Sequence, residues 1–423
     1  MRVARPCSHP EFPRHAACLV VTLCSAAAFA QPLSFSLEDA LARATEVTPA
    51  VQRARLERRS VEAEAVGADI FFPANPVVSV AAGSRTDHSD AVPPAAGGEV
   101  VVRVEQQLEI GGQRGKRLEE VDKAVEAARA RERVALTESR ARVRSTYVGT
   151  LLAREQIRYA EQRLELVQRV RTSVQARAGL GAAGDVDVNL AILEVGRAEQ
   201  DLATAKVGAV AADQALRRLL FLPRAPALEL TTPLSVPPVP AEDIQALVTQ
   251  ARSRRAELAA LTASRTQLDA TLERLEREVI PNPTLFFEWA SQQPKQNYIG
   301  GGIVLPFPIW RHNQGEKARV LAAQERVEGE RMLVEFEVDY EVELAATAAR
   351  LLVGEAQRWD KEVAPAAAAN AELIARGWTA GKFDFFRVVQ ALRESAEARA
   401  QQLRTLGAAW AAVIDLDRAA GNP

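Results

Sequence analysis

Apolar and polar positions follow two different periods along this chain, and the changes of period divide it into elements. From Gln113 to Arg177 apolar residues recur at mixed three- and four-residue steps, as at Ala160, Leu164, Val167, Val170 and Val174, with Arg, Glu and Gln between them. That spacing predicts a long helix with a coiled-coil seam. The stretch contains no proline and only Gly115 and Gly149, so at ~1.5 Å per residue the helix runs on the order of 100 Å. A second such stretch, from about Arg311 to Arg376, is interrupted by Gly315, Gly329, Gly354 and Pro365. Proline removes a backbone donor and crowds the preceding turn, so Pro365 predicts either a surface kink or a hinge. Before each long helix the period shortens to two. Val102 and Val104 point opposite to Arg103, Glu105 and Gln107, and Leu285, Phe287 and Trp289 share a face away from Thr284 and Glu288. These segments predict strands.

The elements occur twice in the same order, which marks an internal duplication. Each half opens with an acidic helix start, Ser36-Leu37-Glu38-Asp39 or Ala241-Glu242-Asp243-Ile244. Each then reaches a Pro-rich break, Phe72-Pro73-Ala74-Asn75-Pro76 or Ile280-Pro281-Asn282-Pro283. Two strands, a long helix, a Gly-rich turn and a shorter return helix follow. Near the turns Gly181, Ala191 and Glu194 match Gly381, Ala391 and Glu394 at one constant offset. The predicted repeats are residues 31–222 and 241–423, with strands at about 76–84, 100–110, 283–291 and 297–308 and hairpin tips at about 178–185 and 377–384. The Pro-rich linker between them, 223–240, has room for a short strand around Leu228-Glu229-Leu230. The fold class expected is mainly α with a small β part.

Composition narrows the setting. Lys and Arg total 53 against 55 Asp and Glu, for a formal charge of −2, so nothing points to nucleic acid or a polybasic anchor. The first 30 residues read as a secretory leader: Arg2, Arg5 and Arg14, then an apolar run from Ala16 that closes on Ala28-Phe29-Ala30. Cys7, Cys18 and Cys24 all lie within it, so the mature chain has no cysteine for a disulfide, a thiolate site, a nucleophile or a lipid anchor. No later run is long and apolar enough for a membrane-spanning helix, which leaves strands as the route into a bilayer. Alternating strands suit a barrel wall, apolar to lipid and polar to the lumen, with Val102, Val104, Leu285, Phe287 and Trp289 facing lipid. A half-buried soluble sheet has the same pattern; the leader favours the barrel. Four strands cannot close a barrel and open edges cannot face lipid, so three copies supplying about twelve strands are expected.

Leader, duplicated order and Gly-containing tips together resemble the TolC family of outer-membrane efflux proteins over about Leu33 to Ala420. Gln107-Leu108-Glu109-Ile110-Gly111-Gly112-Gln113-Arg114 is similar to the strand-to-helix junction of its heavy-metal branch, the cobalt–zinc–cadmium type. Ala380-Gly381-Lys382-Phe383-Asp384-Phe385-Phe386 is similar to that branch's second hairpin tip. The resemblance implies a homotrimer with a shared β-barrel in outer-membrane lipid and a long α-helical coiled-coil barrel through the periplasm. It also implies a periplasmic adaptor and an inner-membrane pump of the resistance–nodulation–division class as partners. The channel itself does no chemistry and takes no cofactor.

The tips are where a gate is expected. Asp185, Asp187 and Asp384 follow the two Gly turns, and in a trimer each becomes a ring of three charges. Asp is also a favoured helix cap; that role suits Asp185 and Asp384, while Asp187 matches an acidic tip position of the family. One turn past the second tip, where family channels can carry aspartates, stand Arg387 and Gln390, which leaves an acidic, a basic or a mixed ring open at that level. Asp187 and Arg387 are expected to bond between hairpins. Trp378 and Phe383 either plug the tip or pack between hairpins. His88, in Asp87-His88-Ser89-Asp90, sits in a polar strand loop, and the mature chain adds only His312 and Met332 as soft ligands, so metal cargo would pass without specific coordination. The competing readings are a channel for drugs or other organic compounds, a periplasmic adaptor and a secreted coiled-coil scaffold without a pore. An enzyme is the least expected reading, since the sequence offers no phosphate loop, nucleophile elbow or ligand cluster.

Overall fold

The computed structural model describes residues 33–86, 96–241, 243–292 and 296–422. The expected leader with its three cysteines, the His88 loop and Glu242 lie outside these residues. The first half runs β1 (Leu33–Phe35), α1 (Leu37–Val47), α2 (Pro49–Ala68), β2 (Val77–Thr86), β3 (Ala96–Gln107), α3 (Gln113–Gly179) and α4 (Asp185–Leu219). The linker contributes β4 (Leu228–Leu230). The second half runs α5 (Ile244–Arg254), α6 (Ala256–Arg277), β5 (Thr284–Gln292), β6 (Gln296–Val304) and α7 (Gln314–Arg358). It ends with a π turn (Trp359–Val363), α8 (Ala364–Thr379) and α9 (Phe385–Ala419).

Local chemistry sets the element ends. Ser36 and Asp39 close a capping box at the start of α1. At the two hairpin tips Gly181 and Gly381 both take φ of 73°, a left-handed conformation that costs glycine nothing. The following residues then complete the same closure: Ala182 N donates to Arg177 O and Lys382 N to Gly377 O, each at 2.8 Å. The return helices α4 and α9 both have 35 residues. Pro365 does not break the second long helix. It enters after the π turn, in which Ala364 N reaches Trp359 O, and this wider turn takes up the proline. The strands differ at their ends from the sequence expectation. β3 stops at Gln107 because the next partner is Pro283, which accepts from Leu108 N at 2.8 Å but has no N–H to return, and β6 stops at Val304 because Pro306 and Pro308 cannot donate to a ladder.

Three cores are strung along the helices. Near the middle, Tyr147 is buried among Ala40, Ala44, Leu216 and Leu228. Its hydroxyl donates to Phe35 O at 2.9 Å and accepts from Thr232 N at 3.3 Å, which fastens the parallel pair β1–β4 and so the linker to α3. A second core joins α5, α7 and α9 through Leu247, Val342, Ala346 and Val413. The third lies at the tips. On α3, Ala160, Val167 and Val174 are buried at heptad steps while Leu164 and Val170 are half-buried, the seam expected of a coiled coil.

The four-stranded sheet has the order β2-β3-β5-β6 and is antiparallel throughout. Its register aligns Val80, Val102, Trp289 and Ile299 on one row and Val78, Val104 and Phe287 on another. That face is apolar: Val104, Leu285, Phe287 and Trp289 are exposed and Val102 is half-buried. The opposite face holds Arg103, which forms an ion pair with Glu105 at 2.5 Å, lies 3.8 Å from Glu288 and stacks 4.0 Å above the Phe286 ring. Among the described residues the outer strands β2 and β6 each lack a partner on one side. Among the described residues no helix is long and apolar enough to cross a membrane.

Candidate functional site

The two helical hairpins, α3–α4 and α8–α9, meet at their tips in one core. Val174, Val195, Trp378, Phe385 and Val388 are buried together there. Trp378, only 6% exposed, is the main bridge. Arg177 of the first hairpin lies 4.2 Å from its ring centre and donates to its carbonyl at 2.9 Å. The Phe385 ring packs 5.5 Å away on the other side. Phe383 folds back over Gly377, where a Cβ would collide with the ring.

The polar residues of the tips do local work. Asp384 accepts Arg387 N at 2.8 Å and caps α9. On the first hairpin Gly184 is the cap residue, and Asp187 reaches back to accept Gly184 N at 3.1 Å. Capping at this tip is thus done by Asp187, while Asp185 opens α4 as an exposed residue. Arg387 is exposed, with its guanidinium 5.4 Å from the Phe383 ring centre. Gln390 donates to Glu394 at 3.0 Å. The expected Asp187–Arg387 bond is not made within the chain. Here the carboxylate accepts from its own turn and the guanidinium lies against Phe383 of its own hairpin.

One charged cluster escaped the sequence reading. Glu194 on α4 is 2% exposed, yet Oε1 accepts from Arg197 at 2.6 Å and from Arg393 Nε and Nη2 at 3.0 and 2.6 Å. Arg163 of α3 stands 3.9 Å from Oε2 and is held in turn by Asp201. One carboxylate therefore ties α3, α4 and α9 together about two to three turns above the tips. The available signal was positional: Glu194 falls between Ala191 and Ala198 on the buried seam, where a charge needs partners. Among the described residues no group of three or more His, Cys, Asp or Glu is placed to hold a metal ion.

Comparison with known proteins agrees with this architecture. Residues 38–220 match the family described as Outer membrane efflux protein. The chain is 27% identical over 322 residues to the cobalt-zinc-cadmium resistance protein CzcC of Cupriavidus metallidurans, covering 74% of this chain and 75% of that one. Among solved structures it superimposes on CusC with a TM-score of 0.71 at 15% identity, covering 92% of both chains. It also superimposes on the Campylobacter jejuni CmeC outer membrane channel with a TM-score of 0.73 at 12% identity, covering 91% of this chain and 85% of that one. Both of these solved structures share this chain's fold. The chain thus carries an outer membrane efflux protein domain over residues 38–220 and, along its described length, the fold of the outer-membrane efflux channels.

Proposed function

We propose that the protein is the outer-membrane duct of a tripartite efflux system and that its cargo is divalent heavy-metal cations. Three chains close one twelve-stranded barrel, and their helices continue as a tube through the periplasm. The observation that carries the reading is the sheet itself. It presents an apolar exposed face, a polar face built on Arg103, and two open edges. Unpaired strand edges are not tolerated in lipid, so further copies must pair with β2 and β6. Val102, Val104, Leu285, Phe287 and Trp289 then meet lipid. The hairpin tips form the closing end, with Asp187 and Asp384 as caps and Arg387 and Gln390 on the exposed surface toward the axis. A periplasmic adaptor and a resistance–nodulation–division pump supply contact and energy.

The likeness to CzcC supports the metal cargo. The test is deletion of the gene in its host. Lower tolerance to cobalt, zinc or cadmium, restored by the wild-type gene, is the expected result. Unchanged metal tolerance with raised sensitivity to detergents or drugs would give the organic-cargo reading instead.

A further inference from the structure

Because the chain is duplicated, each repeat serves as a control for the other where strands meet long helices. The backbone frame is the same in both. Gly112 and Asn313 take left-handed φ of 75° and 61°. The glutamine that follows each turns back: Gln113 Oε1 accepts Gly111 N and Gln314 Oε1 accepts His312 N, both at 2.9 Å.

The charges in the two frames differ. In the first repeat the three cations that open α3 are matched. Arg114 pairs with Asp69, Arg117 with Glu109, and Lys116 with Glu119 at 2.6 Å and Glu273 at 2.5 Å. In the second repeat the place of Glu109 is taken by Trp310, which is 81% exposed, and that of Arg117 by Ala318. Arg311, Lys317 and Arg319, with Arg277 at the end of α6, have no carboxylate within ion-pair distance among the described residues. Asn313 Nδ2 donates to Leu275 O at 3.1 Å and holds the Arg311 segment against the α6 end that bears Arg277. At this end of α6 Glu273 is taken by Lys116 and Glu278 by Arg274, which leaves Glu276 and Glu316 as the nearby acids, so the four cations outnumber them.

Directly above, Leu305, Phe307, Ile309 and Trp310 are exposed and continue the apolar face of the sheet. An aromatic belt ending in unpaired cations is the profile of a bilayer interface, with rings at the acyl boundary and cations at phosphate depth. We propose that the second-repeat junction binds the phosphate headgroup of an anionic phospholipid in the periplasmic leaflet, a site that at the first junction is closed by Asp69, Glu109, Glu119 and Glu273. This rests on the reading of the sheet as a barrel wall.

The experiment uses the full-length protein purified in a neutral detergent. Native mass spectrometry measures retention of phosphatidylglycerol against phosphatidylcholine for wild type, for Arg311→Gln/Lys317→Gln, for Trp310→Ala, and for Arg326→Gln lower on α7 as a control. Wild type and control should prefer phosphatidylglycerol. Loss of each cation should weaken that preference about fivefold, so about twenty-fivefold for the double variant. Trp310→Ala should weaken retention of both lipids. Equal phosphatidylglycerol retention by wild type and double variant overturns the site while leaving the barrel intact. Inorganic phosphate that abolishes the preference at millimolar concentration overturns it in favour of a free-anion site. A double variant that falls to monomers in lipid-free detergent overturns it in favour of a contact between copies. A wild type that stays in solution without detergent contradicts the barrel reading itself.

Discussion

Replacing Glu194 by alanine should free the hairpin tips while sparing the rest of the molecule. The carboxylate accepts three guanidinium N–H bonds at 2.6, 2.6 and 3.0 Å on one oxygen, and a hydrogen bond to a charged group contributes about 1.5–3 kcal/mol. The sum must be discounted, because Arg197 and Arg393 have side chains about half exposed, at 53% and 47%, and rehydrate when released. Arg163, at 12% exposure, keeps Asp201. A net loss of about 3 kcal/mol remains, within the range for breaking a buried pair. The cost should appear as local opening, which native-state hydrogen exchange reads. Amides at the start of α9, from Val388 to Glu397, should exchange about a hundredfold faster in Glu194→Ala, while those of β3 keep their rate. Arg393→Ala added to Glu194→Ala should add little, since both remove the same bonds. Unchanged exchange at α9, or an equal rise in every element, would refute the assignment of Glu194 as the tie between hairpins.

Gln113→Ala should cost about 3 kcal/mol, because the buried side chain loses bonds to Gly111 N, Ile280 O and Asn282 Oδ1 at 2.9–3.1 Å; a lower melting temperature in detergent checks it, and wild-type melting would contradict it. Asp187→Ala and Arg387→Ala should each raise single-channel conductance in planar bilayers if the tips are the gate. Because the two side chains do not meet within the chain, their effects should add, and a double mutant no different from the singles would restore the pair. For Glu341, burial pushes the carboxyl up, but bonds from Arg255 and Arg418 outweigh it and hold it below its ordinary 4.5. Its contribution is therefore complete above pH 4.5 and is lost as pH falls through the lower folded value. Glu341→Gln should flatten the fall of melting temperature below that pH, and an unchanged acid profile would refute it.

The repeat, the long helices and the strand faces were legible because period and Gly/Pro punctuation are local properties. Gly181 and Gly381 marked the tips since a left-handed turn needs them, and Val102, Val104 and Phe287 declared a face by period two. The details that local pattern does not carry are those set by tertiary placement. A glutamate among arginines on a helix reads as a solvated face, so the sequence offers Glu194 only as a repeat match to Glu394. Within one chain Asp187 and Arg387 do not pair, because Asp187 turns back onto Gly184 N while Trp378, Phe385 and Val388, packed against the first hairpin, set the rotation of α9. The end of β6 lay closer than expected because Pro306 and Pro308 act on the ladder, not on the apolar pattern that continues through them.

The most direct test of the shared barrel is a cross-link between its open edges. The cysteines of the chain are confined to Cys7, Cys18 and Cys24, so single cysteines introduced on β2 and β6, such as Val80→Cys with Ile299→Cys and neighbouring register pairs, report on pairing between chains. Oxidised in outer membranes, at least one register pair should give a ladder that ends at three covalently closed copies. A ladder running past three, or no cross-link in any register while the protein remains monomeric, would contradict the shared barrel.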